Sequence, residues 1–135
     1  DEEARGQCDR NAKIEKVKKR VAFRQCDLAH LDYEDGSFDA VVSCYAYHRQ
    51  KGEDPRALVK ESLRVLKKGG AFALEDQFGL SNIYGDMDAF VEELRAEGIT
   101  KITYVPNVED GKDYVTRVMK TKNLVKGLGM IYGTK

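Results

Sequence analysis

Apolar and polar positions along this chain follow two rhythms, one helical and one strand-like, and their alternation sets the order of elements. Between Glu2 and Lys19 a weak helical stripe of Ala4, Cys8 and Ala12, joined less regularly by Ile14 and Val17, runs among charged neighbours and is interrupted by Gly6. The short apolar run 21–26 (VAFRQC) predicts a buried strand ended by Asp27. The acidic link LAHLDYEDGS closes on Asp35-Gly36, a turn signal. Residues 38–46 form the most apolar segment, with β-branched Val41 and Val42 at its centre, and predict a central strand covered on both faces.

Asp54-Pro55 starts a helix expected over 54–68. The carboxylate caps orphan amides, proline suits the first helical position, and Leu58, Val59, Leu63 and Leu66 follow at helical spacing. Lys67 and Lys68 suit its negative end, and Gly69 supplies a left-handed stop before a strand over 71–75. Residues 80–85 read as a loop. Asp86 or Asp88 then opens a second helix carrying Met87, Phe90, Val91 and Leu94, which Gly98 ends. Residues 99–105 predict a strand stopped by Pro106, residues 107–122 fit strand and helix equally, and 128–132 predict a closing strand. A helix feeding directly into a strand makes the fold class α/β. In such sheets ligands sit at the carboxyl ends of strands, which here are Asp27, Cys44, Tyr45 and Asp76.

Composition changes this picture only by exclusion. The 23 Lys+Arg balance 23 Asp+Glu, leaving no electrostatic case for nucleic acid, and the densest basic stretch, 13–20, is broken by Glu15 and reads as a solvated helix face. No run of 18 apolar residues is present and the amino terminus is acidic, so neither a membrane span nor a signal peptide is expected. Cys8, Cys26 and Cys44 form no spaced pair, which predicts reduced, buried thiols in a cytoplasmic protein. His30 and His48 have no close ligand partner, so no metal site is expected. The 135 residues predict a single domain.

The segment from Cys26 to Asp76 resembles the later half of a class I S-adenosylmethionine-dependent methyltransferase, nearest to the ubiquinone and menaquinone biosynthesis group. The resemblance rests on Asp27 at a strand end, on Ser37-Phe38-Asp39 at a strand start, and on Arg64-Val65-Leu66-Lys67-Lys68-Gly69-Gly70 leading into the next strand. It implies a Rossmann-like sheet, mostly parallel with an antiparallel closing strand, and S-adenosylmethionine as cofactor. By the same resemblance Asp27 accepts from the adenine amino group, Leu28 packs beside it, and Cys44 and Tyr45 line the sugar and methionine side. His48 and Asp76 would face a small-molecule methyl acceptor, His48 as a general base, while Asp39 and Arg64 are structural. For Asp76 a lone surface carboxylate is the stronger expectation; for Cys44 and Tyr45 core packing weighs equally, as does a surface position for His48, and apart from the resemblance Asp27 reads as a solvated loop acid. Since the cofactor carries the reactivity, no obligatory catalytic residue is expected.

The family's opening strand, glycine-rich loop and ribose-binding acid have no counterpart here, so a partial domain lacking its amino-terminal β-α-β unit is expected, one that is inactive or weakly active alone. Gly127-Leu128-Gly129 with Gly133 imitates a dinucleotide loop, but no helix follows it to receive a phosphate. In the family the strand at 21–26 and that at 38–46 are separated by the two absent strands, so the expectation is that they pair directly or with a second copy in a homodimer. The alternative function is a non-catalytic interaction module derived from the same fold; a nucleotide-binding oxidoreductase fragment is the weaker third reading.

Overall fold

The computed structural model describes residues 2–108 and 127–135. Two capped helices and a four-stranded sheet carry the fold. Asp54 caps α2 (Pro55–Arg64) by accepting from Arg56 N at 2.9 Å, and Asp86 caps α4 (Met87–Ala96) by accepting from Ala89 N at 3.1 Å. Each satisfies an orphan amide of a first turn. The expected apolar positions are the buried ones: Leu58, Val59 and Leu63 on α2, and Met87, Phe90, Val91 and Leu94 on α4. At the amino end, α1 (Glu2–Ile14) forms the expected helix, followed by a 3-10 turn over Lys18–Arg20.

The sheet contains β1 (Phe38–Cys44), β2 (Leu66–Asp76), β3 (Lys101–Val105) and β4 (Gly129–Thr134), in the order β1-β2-β4-β3. β1 and β2 are parallel, and β4 runs antiparallel to both its neighbours, so β1, β2 and β3 share one direction. This is the mostly parallel sheet with one antiparallel closing strand that the resemblance implies. Phe72 and Leu74 of β2, Ile102 of β3 and Ile131 of β4 point into one core with the apolar faces of α2 and α4. Val42, Ala73 and Tyr132 lie in register across the opposite face, where Val42 is 81% exposed.

Several expectations are corrected. Residues 21–26 form no strand; they run as exposed, irregular chain ahead of an isolated Asp27–His30 bridge. A strand needs a ladder for its backbone groups, and this stretch pairs with none of the described strands, so its exposed backbone faces solvent. Direct pairing of this stretch with β1 does not occur. β1 itself is an edge strand with one open face rather than a central strand covered on both sides, because β2 is its only partner among the described strands. All three cysteines are exposed, for the same reasons: Cys26 lies in the irregular stretch, Cys44 at the end of the edge strand, and Cys8 on the solvent side of α1.

A further correction concerns the glycine pair. α2 ends at Arg64, with Val65 still right-handed, and β2 starts at Leu66, so Lys67 and Lys68 belong to the strand. Gly69, at φ +81°, lies inside β2 where the register jumps from Phe38↔Leu66 to Ala40↔Ala71. A Cβ on the adjoining Gly70 would come within 2.6 Å of Leu66 Cδ1 and 2.9 Å of Asp39 O. The pair thus builds a bulge, not a helix stop. Residues 80–85, expected as a loop, contain one helical turn, α3 (Ser81–Tyr84), which buries Tyr84. Most of the ambiguous stretch, 109–122, lies outside the described residues.

Candidate functional site

Parallel pairing of β1 with β2 brings their carboxyl ends side by side, with Cys44 opposite Glu75. The Cys44 thiol donates to Glu75 Oε1 at 3.1 Å, and this bond, with the neighbouring negative charge, pushes the thiol up from its ordinary range. A thiol that keeps its proton is no nucleophile. Tyr45 extends the ladder by one bond, donating from its backbone to Glu75 O at 2.9 Å, but its φ is +54°. A left-handed tyrosine stores about 1–3 kcal/mol of strain, and such residues cluster at functional sites. Here the kink turns the chain across the end of β2.

That turn delivers Tyr47 and His48 to Asp76. The Asp76 carboxylate, 0% exposed, accepts from Tyr47 N at 2.9 Å and from Gln77 N at 2.7 Å, and its Oδ1 lies 2.5 Å from His48 Nδ1. Its environment, and not a surface position, corrects the expectation of a lone solvated acid. The His48 side chain is 15% exposed and meets the Tyr45 ring edge-on at 5.6 Å. Two tyrosine hydroxyls complete the cluster. Ser62 and Ser43 sit beside that of Tyr47 and Asp76 beside that of Tyr84, yet neither hydroxyl makes a well-formed hydrogen bond. Burial pushes both phenols up, so both hold their protons. Neither tyrosine stands out in the sequence; the dense aromatic spacing of Tyr45, Tyr47 and His48 after a strand is the one signal that could have flagged Tyr47.

Of the six residues expected at the site, Cys44, Tyr45, His48 and Asp76 converge. Asp27 and Leu28 lie on a separate turn, with no hydrogen bond or ring contact to that group among the described residues. Arg64 anchors the loop that follows them, donating to Leu31 O and Tyr33 O, each at 2.9 Å, and pairing with Asp35 and Glu61. Leu28 and Ala29 pack against the main core, while the Asp27 side chain is 70% exposed. One Asp27 oxygen accepts from Ala29 N at 2.9 Å, and the other lies 3.9 Å from His30 Nδ1.

An adenine ring asks for an acceptor at its amino group and an apolar surface beside it. The exposed Asp27 oxygen and the half-buried Leu28 meet both demands. The amino-acid end of S-adenosylmethionine asks for a glycine-rich strand-to-helix turn, and the described residues hold none. Gly133 does not supply one: a Cβ there would fall 1.7 Å from Lys101 O, so its glycine is required by the contact of β4 with β3. The residues present therefore fit one half of the cofactor. No group of three metal-ligating side chains occurs among the described residues, and no described helix is long and apolar enough to cross a membrane.

Residues 1–74 match the family described as methyltransferase domain, more than half of the chain. This protein belongs to that family. The methyltransferase domain is 36% identical over 80 residues to the uncharacterized methyltransferase YcgJ of Bacillus subtilis, an alignment covering 59% of this chain and 30% of that protein. Among solved structures it is similar to phosphoethanolamine N-methyltransferase 2 of Haemonchus contortus in complex with S-adenosyl-L-methionine, with a TM-score of 0.56, 16% identity, and 90% of this chain and 39% of that one covered. It is similar also to geranyl diphosphate C-methyltransferase of Streptomyces coelicolor in complex with S-adenosyl-L-homocysteine, with a TM-score of 0.53, 18% identity, and 93% and 59% covered. At these identities the structural likeness establishes the fold: the Rossmann-like sheet of S-adenosylmethionine-dependent methyltransferases. The chain thus spans about a third of the curated relative and between two and three fifths of these solved structures.

Proposed function

We propose that this methyltransferase domain forms the acceptor-side part of an enzyme that moves a methyl group from S-adenosylmethionine to a small molecule held at the carboxyl ends of β1 and β2. The observation that carries the reading is the convergence of Tyr45, His48 and Asp76 at those strand ends, in a family whose solved relatives bind this cofactor. When bound, the cofactor supplies an electrophilic methyl on a sulfonium, so the protein's work is alignment and exclusion of water. Asp27 accepts the adenine amino group and Leu28 packs on the ring. Cys44 and Tyr45 form the wall toward the sugar. His48 meets the acceptor, and Asp76 holds His48 from behind. The outer edge of β1 takes a further strand, from the same protein or from a second copy, since an open edge invites pairing. Three free thiols fit a reducing compartment such as the cytoplasm.

The test is calorimetric titration of the chain with S-adenosylmethionine. Saturable heat that Asp27→Ala removes supports this reading. No heat at all supports the rival, an interaction module that keeps the sheet without cofactor.

A further inference from the structure

Asp76 is the only charged side chain that is buried among the described residues. Burying a carboxylate costs several kcal/mol unless every lone pair finds a donor. An apolar residue would end β2 more cheaply, so the acid has a consequence to account for. Its Oδ2 accepts from Tyr47 N, and its Oδ1 accepts from Gln77 N as well as meeting His48 Nδ1. Both backbone partners can only donate. An ionised carboxylate can only accept. The 2.5 Å contact with His48 is consistent with a charge-assisted bond only if Nδ1 carries the proton. The ring nitrogen left over, Nε2, then bears a lone pair whenever His48 is neutral.

The other groups around the imidazole do not compete for that role. The Tyr45 ring lies edge-on to it, the buried Tyr47 and Tyr84 phenols keep their protons, and the Cys44 thiol is held protonated by Glu75. Arg49, next in the chain, is exposed.

We infer that Asp76 is a positioning residue that fixes His48 as the Nδ1–H tautomer, and that His48 Nε2 takes a proton from the methyl acceptor. This deepens the methyl-transfer reading and rests on it. A lone pair on the acceptor's oxygen or nitrogen forms the bond to the methyl carbon, the carbon–sulfur bond breaks with its electron pair going to sulfur, and the acceptor's O–H or N–H proton passes to Nε2. The substrate class follows: a hydroxyl, a phenol or an amine that still bears hydrogen. A thioether or a tertiary amine has no proton to lose and gains nothing from this pair. A carboxylate holding an imidazole in one tautomer is the arrangement that makes histidine a directed base in serine hydrolases.

The chain has two histidines, so ring ¹⁵N spectra of the His30→Gln protein report on His48 alone. The expected spectrum of the neutral ring has the proton on Nδ1 and a bare Nε2, and Asp76→Asn shifts the proton to Nε2 because the amide presents an N–H to Nδ1. A ring already protonated on Nε2 with Asp76 in place overturns the proposal, whether or not the Asp76 variant folds. With S-adenosylmethionine and paired probe acceptors, a phenol and a thioether, His48→Gln is expected to slow phenol methylation about 100-fold or more while leaving cofactor binding intact. Thioether methylation equal to that of the phenol and untouched by His48→Gln would also overturn it. Failure of the unsubstituted protein to bind the cofactor sinks the methyl-transfer reading instead, and the ring spectrum still decides whether Asp76 sets the tautomer.

Discussion

Val42 and Asp76 sit on adjacent strands with reversed fates, an apolar side chain in water and a charged one in the core. Val42 is exposed because β1 is an edge with an open face, so Val42→Thr should change unfolding free energy by less than about 0.5 kcal/mol. Leu74→Ala on the buried side of β2 should cost about 2–5 kcal/mol. Urea denaturation of the two variants separates the cases, and equal costs would mean that β1 is covered in solution. Asp27→Ala removes one charged acceptor, worth about 1.5–3 kcal/mol, and should weaken S-adenosylmethionine about 10- to 100-fold in the titration described above. The acid at position 27 is legible through its family counterpart, although the strand expected ahead of it does not form. The burial of Asp76 is not legible, because it depends on Tyr47 N and His48 arriving from a kinked turn almost thirty residues earlier in the chain.

The two long core helices are the elements that the sequence describes best at their starts, since cap and apolar stripe lie within a dozen residues. The end of α2 is not legible in the same way, because the glycine pair belongs to β2. Asp54→Ala and Asp86→Ala should each destabilise the fold by about 1 kcal/mol, measured by chemical denaturation, whereas Asp88→Ala, which caps nothing, should cost much less. The strand at 21–26 is the counter-case: its residues favour a strand, but a strand is a property of two segments, and this one pairs with none of the described strands. The loop before β1 has a titratable clamp. The Arg64 guanidinium, and after it the Leu31 amide, hold the Glu61 carboxyl below its usual 4.5. A lowered folded-state value stabilises the fold above the unfolded value, and that stabilisation is lost as pH falls through the folded one. Glu61→Gln should therefore be less stable than the parent at neutral pH, and the gap should close as the medium is acidified below 4.5, as followed by urea midpoints across pH. A gap that persists in acid would assign the Glu61 contribution to packing.

At the scale of the whole molecule, one face of the sheet is packed by α2 and α4, and the other carries an open depression of about 730 Å³ lined by Ala71, Ala73, Met130 and Tyr132. Its one charged lining residue, Lys101, is exposed, whereas the strand ends gather His48, Asp76 and Tyr45 around a buried carboxylate. The antiparallel closure was legible through family resemblance more than through periodicity, and the order of strands was not legible, because a pattern of apolar runs does not say which strands are neighbours. The proposed ligand site is the carboxyl edge, not the open face. Amide chemical shifts recorded during addition of S-adenosylmethionine to the ¹⁵N-labelled chain test this most directly. The expected result is a set of saturable shifts concentrated at residues 27–29 and 44–48; shifts confined to 71–73 and 130–134, or none anywhere, would contradict it.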